Sequence, residues 1–523
     1  MTIAAASIGL PTTGATVTAA TPVAASGSGV SATPDYCKVS AAISPVDPAA
    51  PKILMQLALP GTWNNKVMMF GGGGFDGFIP DLAGNVPAGP AAQATPLGRG
   101  YATFASDSGH QANALATQDA SFGVNDEAIA NFSGDALKKT RDVAIAIINA
   151  RYAVNGPTKA YFAGGSSGGR EALAVAQKWP QDWDGVIALY PAGAAASLDL
   201  QFGRITRALA QPGAYPNGAK RRVLYDASIQ ACDTLDGVAD GLISNIKACN
   251  AIFNPTTATL NGQPVRCASG ADTGDTCLSD AQITAFNVIN TPITFNYTLA
   301  SGETQYPGFN TWGTDFGDPN GGPLEAVVSF LSLGSAQPAS PMPNAAPYGS
   351  VFWDQWVRFF VTRDPSFNSL TLDPQNPGAY QARISALSGL QDVNNADLTA
   401  FQSKGGKVLI AHGTSDALVS TRATAQYVDR VRSTMGAARA DTFLRYYEIP
   451  GYGHVIGTAF NASWDSLTTL ENWVEKGTLA NQIVTDTLGV PGRTRPLCDY
   501  PAYPRYNGSG DVNAASSFSC STQ

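Results

Sequence analysis

Charge is scarce in this chain. Asp, Glu, Lys and Arg make up 14% of its 523 residues, hydrophobic residues 44%, and the net charge is −8. An acidic balance with no basic runs gives no footing to nucleic acid or to an anionic membrane. No apolar run approaches the roughly eighteen residues that a membrane-spanning helix needs. Histidine is rarer still, with only His110, His412 and His454. No Cys-x-x-Cys pair is present, which removes the usual zinc-ribbon spacing. No fixed period repeats, which excludes a solenoid. Residues 1–34 are rich in Ala, Thr, Gly and Ser but lack a basic start and a long apolar core. They do not read as an intact signal peptide. The length is enough for a large core and for more than one domain.

What is present points first to Tyr161-Phe-Ala-Gly-Gly-Ser-Ser-Gly-Gly-Arg170. An apolar, β-prone run from Lys159 enters a Gly/Ser turn, and a helix-forming stretch follows from Arg170 to Lys178. A strand, a tight turn and a helix form the context in which a G-x-S-x-G match has meaning. The turn lifts a serine above the sheet at a helix N-terminus. The match reads in two registers, centred on Ser166 or on Ser167. An ordinary βα turn is the competing reading, because Gly and Ser are abundant here.

A serine nucleophile needs a base, and the base needs an orienting carboxylate. In α/β-hydrolases the chain order is Ser, Asp, His. Lys407-Val-Leu-Ile-Ala-His-Gly-Thr-Ser-Asp416 is a buried-strand pattern ending in an acid, and Leu444-Arg-Tyr-Tyr-Glu-Ile-Pro-Gly-Tyr-Gly-His454 ends in a histidine. Both candidates lie just past strand ends, where open α/β sheets place their chemistry. His412 is at the strand end itself and is expected to pack or to orient the Asp416 turn. His110 precedes the serine and is expected to be a structural loop histidine. The remaining element is Lys66-Val-Met-Met-Phe-Gly-Gly-Gly-Gly-Phe75, a strand opening into four glycines. Bare backbone N–H groups there suit an oxyanion hole.

These motifs resemble the tannase/feruloyl esterase family. Pro34-Asp-Tyr-Cys37, Leu59-Pro-Gly-Thr-Trp-Asn64, the Gly71–Gly74 loop and the serine motif carry the resemblance, which covers nearly the whole chain. Alignment on Arg170 makes Ser166 the nucleophile, with Asp416 and His454 completing the triad. Ser167, Gly73 and Gly74 then supply the oxyanion N–H groups. The family usually has a cysteine before the serine and another after the histidine, joined by a disulfide. Gly165 and Val455 stand there in this chain, so it resembles a branch without that bridge.

The seven cysteines include six in three local pairs, a pattern that argues for disulfides and an oxidising, secreted or periplasmic setting. The resemblance implies Cys232–Cys249, Cys267–Cys277 and Cys498–Cys520, with Cys37 left over as a buried free thiol. Cys232-Asp-Thr-Leu-Asp-Gly-Val-Ala-Asp-Gly-Leu242 offers three acids and two Asp-Gly turns, hard oxygen donors that favour Ca²⁺. Two solvated turns are the plainer reading. The resemblance implies a structural calcium held by Asp233, Asp236 and Asp240 and by the carbonyls of Val238 and Leu242.

The expected architecture is an α/β-hydrolase core in two parts, residues 1–194 and 396–523, with a lid domain at 195–395 inserted between them. The lid lacks βα alternation. Its aromatic stretch Val351–Phe360 is either a core helix or a wall of the acyl site through Trp353, Trp356, Arg358 and Phe359. The expected activity is that of a serine esterase. By resemblance its substrate is a small ester of an aromatic acid: a gallate, hydroxycinnamate, hydroxybenzoate or terephthalate monoester. Hydrolysis of aliphatic esters or polyester oligomers is the alternative within enzymes. A non-catalytic, calcium-stabilised binding protein on the same scaffold is the alternative outside them. Oligomeric state is not readable from the sequence.

Overall fold

The computed structural model describes residues 1–523. Its centre is a ten-stranded sheet. The strands, in chain order, are β1 (Thr2–Ile3), β2 (Gly14–Val23), β3 (Tyr36–Ser44), β4 (Ile53–Pro60), β5 (Lys66–Phe70), β6 (Ala102–Ser106), β7 (Lys159–Gly165), β8 (Gly185–Leu189), β9 (Lys407–Gly413) and β10 (Leu444–Ile449). The spatial order is β1-β2-β3-β4-β6-β5-β7-β8-β9-β10.

The sheet changes character along this order. From β1 to the β4–β6 pair the ladders are antiparallel, and from β6 through β10 they are parallel. Residues explain the division. Tyr36–Ser44 alternates buried and partly exposed positions along its second half, as a sheet with one wet face requires. Ala102–Ser106 and Gly185–Leu189 are buried at every position, because helices cover both faces of the parallel half. The helices Ala136–Tyr152, Ser167–Lys178, Thr421–Met435 and Ser466–Lys476 supply that cover.

Between β8 and β9 the chain leaves the sheet. This excursion carries the helices Ala195–Leu209, Gly218–Cys232, Asp280–Asn290, Tyr348–Gln355 and Gln381–Gln391, with only two-residue strands among them. It has its own apolar core, built around Trp353, Trp356, Phe360, Leu224 and Phe286. Phe75, Phe122 and Phe132 from the sheet side enter that core, so the excursion is seated on the loops that follow β5 and β6. Disulfides join Cys232 to Cys249, Cys267 to Cys277 and Cys498 to Cys520, and Cys37 is unpaired and half-buried on β3.

Two features were not anticipated. Residues 14–23 form a long strand that extends the sheet. On either side of the helix Ser466–Lys476 and beyond it the chain builds two small antiparallel sheets, one of which brings Arg493 and Arg495 onto Asp240. No helix is long and apolar enough to cross a membrane.

Candidate active site

Ser166 occupies the junction between β7 and the helix Ser167–Lys178, with φ 61° and ψ −123°. A non-glycine residue at positive φ is strained, and such strain concentrates at functional turns. The neighbouring glycines are required by close approach. A Cβ at Gly164 would lie 2.3 Å from the Gly168 carbonyl oxygen, and one at Gly71 would lie 2.6 Å from Gly168 Cα. The β5 loop is therefore pressed directly against the serine turn.

The C-terminal ends of three parallel strands converge here, as they do in open α/β sheets. His454 Nε2 lies 3.0 Å from Ser166 Oγ, and His454 Nδ1 lies 2.8 Å from Asp416 Oδ2. Asp416 lies beyond β9 and is 1% exposed. Its Oδ1 accepts the N–H groups of Leu418 and Val419, both at 2.8 Å. His412 Nε2 is a further neighbour of Oδ2 at 3.1 Å, and His412 Nδ1 meets Thr424 Oγ1 at 2.9 Å. Burial pushes the Asp416 carboxyl up, but His454 and the hydrogen bond from His412 outweigh it and hold the group below the usual carboxylate range. His412 thus orients the acid. His110 is stacked on Phe122 with both ring nitrogens unpartnered, and burial lowers it to about 4.

The sequence-predicted oxyanion groups meet at the same place. The N–H groups of Gly73 and Gly74 have no acceptor within the protein. The N–H of Ser167 opens a helix and has no intrahelical partner. Ser167 Oγ donates to the Gly74 carbonyl at 2.6 Å, and Gly168 N–H donates to the Gly72 carbonyl at 3.2 Å, so the two halves are tied together. Glu171 Oε2 accepts the Gly72 N–H at 3.0 Å. Beside it Asp76 is fully buried with neither oxygen bonded. Burial, reinforced by Glu171, pushes Asp76 well above the ordinary range.

Tyr190, just past β8, fills the space beneath the serine turn. A Cβ at Gly165 would lie 2.5 Å from its ring, and its ring centroid is 4.9 Å from that of His454. Val455 is 53% exposed.

Ser166 opens into a cavity walled by Phe75, Phe132, Phe202, Phe352 and Leu198, with Arg170, Asp199 and Gln391 as polar members. Phe75 and Phe352 stack with centroids 3.6 Å apart. A second cavity lies on the other side of His454 and includes Tyr225, Asp315, Ser415 and Thr458. The aromatic stretch is placed differently from the acyl-wall expectation. Trp353 and Trp356 are fully buried in the core of the excursion, and their indole N–H groups donate to Ser369 and Gln391. Arg358 donates to Asp354 and to the Pro365 carbonyl, and its guanidinium lies over Phe359. None of these four residues lines the Ser166 cavity. Tyr348 and Phe352, on the same helix, do. The helix turns Trp353 and Trp356 toward Gly203 and Gln391, where close packing accepts large rings.

The Asp233–Leu242 loop forms a set of turns rather than a ring of three converging acids. Asp233 accepts the N–H groups of Asp240 and Gly241, and Asp240 pairs with Arg495. Asp236 is different. Its Oδ2 is buried without a partner, and burial pushes the carboxyl up to about 6.

The family model for tannase and feruloyl esterase matches residues 37–521. An uncharacterized esterase of Agrobacterium fabrum is 38% identical over 99% of this chain and 91% of its own length. The mono(2-hydroxyethyl) terephthalate hydrolase of Piscinibacter sakaiensis is 31% identical over 94% of this chain and 85% of its own. The crystal structure of feruloyl esterase B from Aspergillus oryzae superposes with a TM-score of 0.78 at 23% identity, covering 98% of both chains. Tannin acyl hydrolase from Aspergillus niger superposes with a TM-score of 0.69 at 21% identity, covering 97% of this chain and 92% of its own. Together with the α/β-hydrolase fold, these matches mean that the chain belongs to the tannase and feruloyl esterase family and is a carboxylic ester hydrolase.

Proposed function

We propose that this protein hydrolyses esters of aromatic acids through an acyl-enzyme on Ser166. The observation that carries the reading is the run of contacts from Asp416 through His454 to Ser166 Oγ, opening into a cavity walled by phenylalanines. Ser166 Oγ attacks the ester carbonyl and loses its proton to His454 Nε2. Asp416 holds the Nδ1–H tautomer and balances the imidazolium. The unbonded N–H groups of Gly74 and Ser167, with Gly73 beside them, receive the developing oxyanion. His454 returns the proton to the leaving alcohol, which departs through the more polar cavity beside Asp315 and Thr458. Water then repeats the sequence on the acyl-enzyme. Relatives named for feruloyl esters and for mono(2-hydroxyethyl) terephthalate support an aromatic acyl group.

A panel of methyl benzoates, cinnamates and straight-chain acyl esters tests this. Aromatic acids should give the higher kcat/KM, and preference for the aliphatic series would overturn the reading. Ser166 and His454 are held without a covalent tie in this scheme, with Tyr190 as the packing between them. The disulfides support export to an oxidising compartment.

Calcium is the proposed occupant of the Asp233–Leu242 loop. Asp236 Oδ2 is the oxygen that lacks a partner, and Asp233, Asp240 and the carbonyls of Val238 and Leu242 would join it, with Arg495 competing for Asp240. The ion would hold the loop and take no part in the chemistry. A chelator should lower Tm, by an amount equivalent to about 3 kcal/mol where calcium had stood at a hundredfold its Kd. Turnover by protein that remains folded should persist. A Tm unchanged by both chelator and added calcium would remove the ion from the scheme.

A further inference from the structure

The helix Ala195–Leu209 is the first element after β8 and presents Asp199 to the cavity that contains Ser166. Asp199 is 3% exposed, and its Oδ1 is sealed from solvent without a hydrogen-bond partner. The hydroxyls around it are already engaged, whereas the Gln391 amide nitrogen donates to nothing. Ser166 faces His454, Ser167 donates to Gly74, and the Tyr348 hydroxyl meets Thr117 Oγ1 at 2.9 Å. Arg170 donates to the carbonyls of Phe132 at 2.9 Å and Gln391 at 3.5 Å, with its guanidinium 4.5 Å from the Phe132 ring centroid. Buried polar atoms without partners are few in folded proteins, and each calls for a reason.

We propose that Asp199 is the specificity-determining residue of the acyl cavity, accepting a hydrogen bond from a hydroxyl on the ring of the bound aromatic acid. The inference rests on the reading of this cavity as the acyl site. Phenylalanine walls supply area for a flat ring but no direction, whereas an unengaged carboxyl supplies a direction. A ring hydroxyl brings the missing donor. A distal carboxylate, as on a terephthalate monoester, brings no proton at neutral pH and would need the O–H of a protonated Asp199 to be held. It would also be desolvated among phenylalanines, near Asp199 and the field of Asp392, and two of the Arg170 N–H groups are already given to carbonyls. Burial first, then Asp392, raises the Asp199 carboxyl, and Arg170 opposes this. In its neutral form the group still accepts through one oxygen.

The test compares kcat/KM for methyl 3- and 4-hydroxybenzoate and methyl 4-hydroxycinnamate with the unsubstituted and 4-fluoro esters. It uses wild type, Asp199→Asn and Asp199→Leu. Wild type should favour the matching hydroxylated ester by about tenfold or more, because a buried polar group built for a substrate hydroxyl rejects the analogue that lacks it. Asp199→Leu should bring the ratio close to one, chiefly by loss on the hydroxylated ester. Asp199→Asn keeps an acceptor oxygen and should retain part of the preference. If the Leu variant does not fold, the wild-type ratios against the fluoro esters and the Asn variant decide. A wild-type enzyme active on aromatic esters but indifferent to the hydroxyl overturns the role of Asp199 alone, as does a folded Leu variant that keeps the ratio. A wild-type enzyme that cleaves p-nitrophenyl acetate but no aromatic acid ester overturns the acyl-site reading itself.

Discussion

Asp416 and Asp199, buried on opposite sides of the Ser166 site, are satisfied in opposite ways. On the sheet side, Asp416 receives two backbone N–H groups and two imidazoles, and is held below the usual carboxylate range despite its burial. On the side of the β8–β9 excursion, Asp199 has no partner at Oδ1, and Asp392 accepts one N–H, from Ala196, while its Oδ2 has none. Burial pushes both upward. The contacts from Asp416 through His454 to Ser166 are made before any substrate arrives, which is where electrostatic catalysis gains most. The other side leaves bonding capacity unused. Unused capacity in a cavity is what lets a site distinguish one ligand from another.

The most severe way to break the sheet side is Ser166→Ala. It should lower kcat by about 10⁴-fold or more, because the triad acts as a unit, with little change in Tm. Ser167→Ala should cost only about tenfold, since the backbone N–H stays and only the hydroxyl bond to the Gly74 carbonyl is lost. Assays of both variants fix the register. A dead Ser167 variant beside an active Ser166 variant would reverse it.

Tyr190→Ala tests whether packing substitutes for a covalent tie. Removing this buried ring should cost about 3 kcal/mol of stability. It should also lower kcat by about ten- to a hundredfold, as His454 loses the surface that holds it in line with Ser166. Tyr190→Phe should restore both. A further sharpening pairs Gly165→Cys with Val455→Cys. Alone, the pair should resist oxidation, since a Cβ at position 165 would lie 2.5 Å from the Tyr190 ring. Combined with Tyr190→Ala, it should bridge, as read by thiol titration. Loss of stability without any effect on kcat would leave Tyr190 as ordinary packing.

The smallest effect concerns Asp392, whose carboxyl is raised to about 7, mainly by burial. Its unfolded value is about 4, so the native state binds more protons between those two pH values. Stability therefore falls as pH rises through that window. Asp392→Asn keeps the acceptor for the Ala196 N–H and removes the titration. It should flatten the pH dependence and raise stability above pH 7 by on the order of 1 kcal/mol or more. Urea midpoints at pH 5 and pH 8 measure the difference, and equal slopes in wild type and variant would show that Asp392 titrates normally.

The serine turn was legible because its demands are local. A strand that must reverse into a helix over a few residues needs glycine where backbones touch, and that need shows as Gly164, Gly165, Gly168 and Gly169 around Ser166. Asp416 and His454 were legible from chain order and from the apolar runs that precede them. His412 could be assigned to the Asp416 turn because it sits four residues before that acid. The walls of the cavity were not legible in the same way. The run Val351–Phe360 announces an aromatic helix, yet which of its rings meet substrate depends on partners far along the chain. Phe352 faces Phe75, 277 residues away by number, while Trp353 packs against Gly203.

By itself, then, the sequence determined the serine turn, the order of Ser166, Asp416 and His454 along the chain and the glycine loop beside them, because each follows from short-range sterics or chain order. The tertiary structure decided that Tyr190 lies under the serine, that Arg495 reaches Asp240, and that Asp199 meets the cavity without a partner. Periodicity marks which face of a helix is buried. Whether a buried polar group is satisfied is a property of everything packed around it, and that is set only when distant segments close on one another.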